Sequence, residues 1–449
     1  MSAEPDSFGL VTERWGREQV LGLAPDAPSG KAAATAARPA KWSGTGCDEQ
    51  AVWGSCQGSG KSAYRAIVDL SEPAFRCSCP SRKFPCKHAL ALLLLWSDGT
   101  VPEQSPPGWV TEWLAERRDR ADQAERRRAG KDAAEGKPGG ARDPKTAERR
   151  EQRAADGVAD LDQWLRDQVA HGLAHAERAP YQVWDDAARR LVDAQAGALA
   201  GQVRALASVP RRGADWPQRL LEEYALLRLL TTAFDRRAEL PEPLNATVRS
   251  RVGFTLNQEE VLAGERVRDL WYVAGSSDTE QDRLITRRVW LRGRETGRSA
   301  LVLSFGAPGR ALDASLVVGA TIDAVLAFYP GAQPLRALVA ERHASPRQYA
   351  PRGTTVQGLL REHADALSRD PWLDRWPAVL ADLRLGRRAG DDGWHVVDPA
   401  GDALPLRTTD PWRLLAVSGG RPLTVAGEWS PRGLVPLSAW QDEEGLVIL

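Results

Sequence analysis

Four residues with the chemistry of soft-metal ligands, Cys77, Cys79, Cys86 and His88, fall within twelve positions in the order C-x-C-x6-C-x-H. Thiolate sulfur and imidazole nitrogen are the groups a structural zinc takes, four of them in a closed tetrahedron. The chain has five cysteines and six histidines in all, so their concentration at ligand spacing points to a metal rather than to scattered core residues. The surrounding sequence supplies elements to hold them. Residues 67–70 and 74–75 read as extended chain, which turns Cys77 and Cys79, two apart, to one side. Residues 80–85 contain two prolines and bring the chain back. An apolar helix is expected over residues 89–96, closed by Ser97, Asp98 and Gly99. Positions i and i+2 do not share a helix face, so Cys86 belongs in the turn before this helix and His88 in its first turn.

The ligand order, the upstream Trp53-Gly-Ser-Cys-Gln-Gly-Ser-Gly-Lys-Ser-Ala-Tyr64, the strand and the apolar helix together resemble the SWIM zinc finger over about residues 41–99. The resemblance implies one structural Zn2+ and a partner that is either DNA or protein. Modules of this family accompany chromatin-remodelling-type ATPases and transposases, but no ATPase motor is legible in this chain.

One stretch imitates a nucleotide site. Residues 55–62, Ser-Cys-Gln-Gly-Ser-Gly-Lys-Ser, differ from a phosphate-binding loop only at Ser55. A true loop of this kind leads into a helix whose N-terminus holds the phosphates. Here Tyr64, Ile67 and Val68 follow, with strand character, so the glycines read as the tip of a hairpin between strands at 51–56 and 63–70. Cys47 and Cys56 lie outside the ligand set and read as small buried residues, close to each other across the hairpin.

Lysine and arginine number 60, as do aspartate and glutamate, so no global field draws the chain to nucleic acid or membrane. Any nucleic-acid site must be a local patch. The first residues have no basic or apolar leader character. The longest apolar run, residues 89–96, is far short of the roughly 20 a membrane span needs. Clustered cysteines at metal spacing fit a reducing compartment, and a cytoplasmic protein is expected.

The expected fold class is α+β, in five parts. Residues 1–40 read as an N-terminal tether, because 24–40 is rich in Pro, Ala, Gly and Ser. Residues 41–99 form a small ββ-α zinc finger module. Residues 100–155 read as a charged linker, with a helix over 109–128 whose apolar face fades into mixed charge. Residues 156–240 have helical periodicity and read as a bundle. His171 and His175 stand four apart on one of its helices, without a third ligand at a useful spacing. Residues 244–449 read as a mainly antiparallel β domain, one curved sheet or barrel, with an inserted helical stretch from Val356 to Leu380. Strands are expected at 252–256 and 412–417 among others. Its tryptophans, 271, 290, 372, 376, 394, 412, 429 and 440, read mostly as core.

No catalytic constellation is legible: there is no G-x-S-x-G, no H-E-x-x-H and no nucleophile beside a base. The acidic pairs Asp391-Asp392 and Glu443-Glu444 read as exposed turns. A zinc held by three thiolates and an imidazole has no open position for water. The chain is therefore expected to be a zinc-stabilised binding protein and not an enzyme, with no small-molecule substrate. The favoured role is a protein-interaction adaptor, accessory to an ATPase system. The alternative is a DNA-binding protein that uses Lys61, Arg65, Arg76, Arg82, Lys83 and Lys87 on the finger. The zinc site itself carries one negative charge, so some of these cations are needed merely to offset it.

Overall fold

The computed structural model describes residues 14–58, 62–71, 73–81, 83–117, 144–211, 213–281, 284–307, 312–387, 393–408, 410–442 and 445–449. Lys61, Arg82, residues 118–143 of the charged linker and the pairs Asp391-Asp392 and Glu443-Glu444 lie outside these residues.

Near the N-terminus the expected tether is replaced by two helices, α1 (Arg17–Gly22) and α2 (Ala27–Ala36). The signals for α2 are local. Asp26 accepts a hydrogen bond from Ser29 N at 2.8 Å, a proline occupies the first turn, and alanine is the best helix former. A four-stranded antiparallel meander follows in the order β1 (Trp42–Cys47), β2 (Ala51–Cys56), β3 (Tyr64–Asp69) and β4 (Ala74–Cys77). Helix α3 (Lys87–Ser97) completes the module, with every residue from His88 to Trp96 buried. A helix apolar on all sides must be covered on all sides. The sheet covers one side and α1 with α2 the other, in one core that includes Trp15, Val20, Ala33, Val52, Val68 and Leu92.

The first part of the linker is also structured. Residues 108–117 form a helix, α4, whose Val110, Trp113 and Leu114 pack on Ala51, Trp53 and Ile67. Strand side chains alternate between faces. Val52, Ala66 and Val68 therefore meet α3, while Ala51, Trp53 and Ile67 meet α4. The sheet is a middle layer, which is why it is apolar on both faces.

The bundle consists of α5 (Pro144–Ala170), α6 (Tyr181–Asp193), α7 (Gly197–Leu206), α8 (Trp216–Asp235) and α9 (Glu242–Val252). It begins inside the expected linker, since Ala154 is buried in its core. It also runs past the expected end. Val252, assigned to a strand from the sequence, is the buried last residue of α9, and Gly253 (φ +133°) stops the helix. His171 and His175 are not on one helix: α5 ends at Ala170, and His175 sits in a 3-10 turn over Leu173–Glu177.

The C-terminal region begins with a short helix, α10 (Gln258–Leu262), and has two sheets where one was expected. Strands β5 (Arg266–Gln281), β6 (Leu284–Gly293), β7 (Ser299–Gly306), β8 (Ala320–Phe328) and β9 (Arg336–Arg342) close on themselves, because β9 pairs with both β7 and β8; β10 (Arg347–Gln348) pairs with the start of β8. The β7–β9 pairing is parallel and the others are antiparallel. After α11 (Val356–Arg369), the second sheet is built from β11 (Trp376–Arg387), β12 (Trp394–Val397), β13 (Ala403–Pro405), β14 (Leu423–Ser430), β15 (Gly433–Gln441) and β16 (Gly445–Ile448). Trp376, Val379 and Leu380, expected in the helical stretch, are therefore strand residues paired to β14. Residues 412–417, expected as a strand, lie in helix α12 (Pro411–Ser418). The two sheets meet through Tyr272, Trp290, Val379, Ala426 and Leu437. Among the tryptophans of this region, 271, 290, 372, 376 and 429 are buried, whereas Trp412 is 66% exposed.

The modules are not beads on a string. Gln19 of α1, 1% exposed, donates to Val318 O at 3.2 Å, and Val317 and Ala320 belong to the same core as α3. The bundle docks separately. Trp372 is buried in the bundle core and donates Nε1–H to Leu226 O at 3.0 Å, while Arg251 pairs with Asp370 at 2.9 Å. Among the described residues no helix is long and apolar enough to cross a membrane.

Candidate metal centre

Each ligand is delivered by a different local device. Cys77 is the last residue of β4, opposite Ala66 on β3. The pairing continues one step further, with Ser78 N donating to Arg65 O at 3.0 Å and Arg65 N donating to Ser78 Oγ at 3.0 Å. Cys79 follows on the same side as Cys77. The turn back is held by Phe84, whose ring stands edge-on to Phe75 with centroids 5.7 Å apart, and by the buried Pro85. Cys86 is the N-cap of α3 in extended conformation, and His88 is the second residue of the helix.

These devices converge. The ligand atoms of Cys77, Cys79, Cys86 and His88 all lie within 4.8 Å of one another. A tetrahedron with bonds of about 2.3 Å requires ligand separations of about 3.8 Å. Cys77 Sγ and His88 Nδ1 are already 3.8 Å apart. Cys86 and His88 are buried and Cys77 and Cys79 half-buried, so the cluster faces inward without being sealed. The residues present fit one zinc ion, and the cluster is able to bind it.

The thiols do not ionise alike. Cys86 is drawn down, first by the hydrogen bond from the Cys77 thiol, then by His88 and the Ala89 backbone N–H, against the cost of burial. A cysteine at a helix N-terminus is placed for this. Cys77 is pushed up, chiefly because its thiol is the donor to Cys86, and Cys79 is pushed up chiefly by burial. Zinc must displace protons from these two thiols, so metal affinity falls as pH falls.

Some surroundings were not legible beforehand. The ring of Tyr64 stacks on His88 with centroids 5.0 Å apart and planes 30° apart, which fixes the imidazole. Tyr64 opposes Cys56 on β2, so the hairpin itself orients the fourth ligand. Cys56 does not join the cluster; its thiol donates to Gln57 O at 3.8 Å, and burial pushes it up. Cys47 and Cys56 are both buried but are not neighbours. Cys56 opposes Trp42 and Cys47 opposes Val52, which places them at opposite ends of the β1–β2 ladder. The hairpin leads into β3 and not into a helix, so it lacks the element a phosphate-binding loop needs.

The expected contact cations are largely engaged within the chain. Arg65 lies over the Trp109 ring at 5.4 Å, Arg76 pairs with Glu116 at 3.7 Å, and Lys83 pairs with Asp26 at 2.7 Å. Lys87 is exposed and has no carboxylate partner among the described residues.

Residues 67–96 match the family model of the SWIM zinc finger, and residues 149–252 match that of the SWIM-associated four-helix bundle domain. No curated protein and no solved structure matches the chain. The second match ends at residue 252, the last residue of α9, whose Val248 and Val252 are buried in the bundle core.

Proposed function

We propose that this chain, whose finger and bundle match the SWIM zinc finger and the SWIM-associated four-helix bundle domain, acts as a cytoplasmic protein-interaction adaptor in which the zinc-held module is part of the scaffold. One observation carries the reading: the finger has its helix α3 enclosed between its own sheet and α1 with α2. A helix buried on every face cannot enter a nucleic-acid groove. Three of the cations that would contact phosphate are already held by Trp109, Glu116 and Asp26. The balanced net charge adds no long-range attraction.

The docking face we favour is on the bundle. Leu221, Ala225 and Leu229 of α8 stand at intervals of four, all exposed, with Leu226 beside them. Such an unpartnered apolar stripe is the form in which a helix offers itself to another protein. An ATPase is the partner class to which the family resemblance points.

The test has two arms. Binding to random-sequence duplex DNA is measured across a salt series, where phosphate contacts would make affinity fall steeply. In parallel, partners captured by the wild type are compared with those captured by a Leu221→Lys, Leu229→Lys double variant. The adaptor reading expects negligible DNA affinity and a protein partner lost in the variant. Salt-steep DNA binding that weakens in Lys87→Ala would replace it with the nucleic-acid reading.

A further inference from the structure

The junction of the two C-terminal sheets holds a cavity of about 310 Å³, remote in sequence from the zinc ligands. Small-molecule sites begin at about this size. Its floor is a row across three strands: Tyr272 on β5 directly opposes Thr321 on β8 and Arg292 on β6. Directly opposed residues project from one face of a sheet. The far wall is apolar, made by Leu359 of α11 and by Pro377 and Val379 of β11. Two loops form the rim and carry Arg294 and Arg352.

The polar groups of this cavity are of two kinds. Some are committed. Arg292 makes a two-pronged pair with Glu362 at 2.9 and 2.8 Å and also donates to Ser299 Oγ. Others are left over. Thr321 is 2% exposed, yet its Oγ1 has no hydrogen-bond partner among the described residues. Burying a hydroxyl without a partner is unfavourable, so such a group either waits for one or is displaced by sequence change. Arg294 makes a long hydrogen bond to Ala350 O at 3.4 Å and lies over the Tyr349 ring, and Arg352 makes one to Arg294 O at 3.4 Å. Neither guanidinium has a carboxylate within ion-pair reach among the described residues. Arg292 and Glu362 cancel, and Glu295 on the rim offsets one of the two remaining arginines. The lining therefore has a positive excess.

Both rim loops are pinned. Buried Asp269 accepts from Glu295 N at 3.0 Å, Thr296 N at 2.9 Å and Thr296 Oγ1 at 2.6 Å, which fixes the turn carrying Arg294. On the other side Thr354 N donates to Val379 O at 2.8 Å and Ala381 N to Thr354 O at 3.1 Å. Gly353 is pressed so close to Ala381 N that a Cβ would stand 2.4 Å from it. Fixed loops that present under-used guanidinium donors are what oxyanion recognition requires.

We propose that this cavity binds a small organic anion. Its carboxylate or phosphate group sits between Arg294 and Arg352 with the Thr321 hydroxyl as a further partner, and its apolar frame lies against Leu359, Pro377 and Val379.

The test titrates the full-length, zinc-loaded protein with phenyl phosphate, benzoate and benzylammonium by isothermal calorimetry. One or both anions should bind saturably, one per chain, while benzylammonium should not. The tighter of the two anions identifies the group the rim is built for. The double variant Arg294→Ala, Arg352→Ala, at positions that are not buried, should weaken anion binding at least tenfold. Thr321→Val should weaken it while leaving the thermal midpoint unchanged or higher, whereas a merely structural hydroxyl would lower the midpoint. Absence of saturable binding by either anion up to about 10 mM would overturn the proposal, since that is weaker than the ordinary range of specific sites. So would equal binding of benzylammonium, or anion affinity indifferent to loss of both arginines.

Discussion

Stripping the metal should loosen more than the finger. Structural zinc contributes on the order of 10 kcal/mol of apparent binding energy in small fingers, comparable to the whole stability of a domain. Without it the strand end at Cys77 and the helix start at Cys86 are no longer tied, and α3 loses its anchor. Helices α1 and α2 rest on α3, through Trp15, Val20 and Ala33. Burial of Trp15 and Val20 is worth roughly 2 kcal/mol each. Their release withdraws about 4 kcal/mol, or nearly a thousandfold in hydrogen-exchange protection of α1. The assay is hydrogen exchange on the full chain with and without a chelator. Protection should fall in β1–β4 and α3, and by about that factor in α1. It should fall partly at β8, whose first residue Ala320 shares the same core. The bundle should keep its protection, because it docks through Trp372 and Asp370 and not through the finger. Unchanged protection in α1 while α3 exchanges freely would refute the reasoning and restore the picture of a tethered module.

Two further outcomes follow from the same packing. Leu93, fully buried in α3, should cost roughly 2–5 kcal/mol when changed to Ala, read as a lower urea midpoint for the finger and α1–α2. Asp26 titrates at about 2 instead of 3.8, first because Lys83 bonds it and then because Ser29 does. A carboxylate with a lowered folded pKa stabilises fully above its unfolded value, and that contribution disappears as pH falls from about 3.8 towards 2. Its carboxyl carbon shift in NMR should show this low midpoint, and Lys83→Ala should move it up towards the ordinary value.

How much was legible depended on how local each cause was. The four ligands span twelve positions, and the order of elements around them follows from strand alternation and helix periodicity alone. Strand β1 was hidden because Gly44 and Gly46 have poor strand propensity. Gly46 is there for a tertiary reason, since a Cβ would meet Trp53 and Gln104 at 2.6 and 2.5 Å. Helix α12 did have local signals, a capping Asp410, a proline in the first turn and Gly419 with φ +52° beyond its end, but its apolar run of residues 414–417 outweighed them. Helix α9 likewise has a proline in its first turn and Gly253 as its stop. The division of the C-terminal strands into two sheets has no local signature. It rests on pairings such as Leu301 with Arg336, and Trp376 with Trp429, between positions far apart in sequence. The engagement of Arg65, Arg76 and Lys83 was hidden for the same reason, because Trp109, Glu116 and Asp26 are brought up by packing.

Zinc K-edge X-ray absorption on the purified full-length protein tests the central claim most directly, because it reports both the metal and its ligands. One zinc per chain should be present, with three sulfurs at about 2.3 Å and one nitrogen at about 2.0–2.1 Å. The nitrogen shell should disappear in His88→Ala, and stoichiometric zinc should be lost in Cys77→Ser, Cys79→Ser and Cys86→Ser. Four sulfurs in the wild type would contradict the account, since buried Cys56 would then have taken the place of His88. So would stoichiometric zinc surviving in every one of these variants.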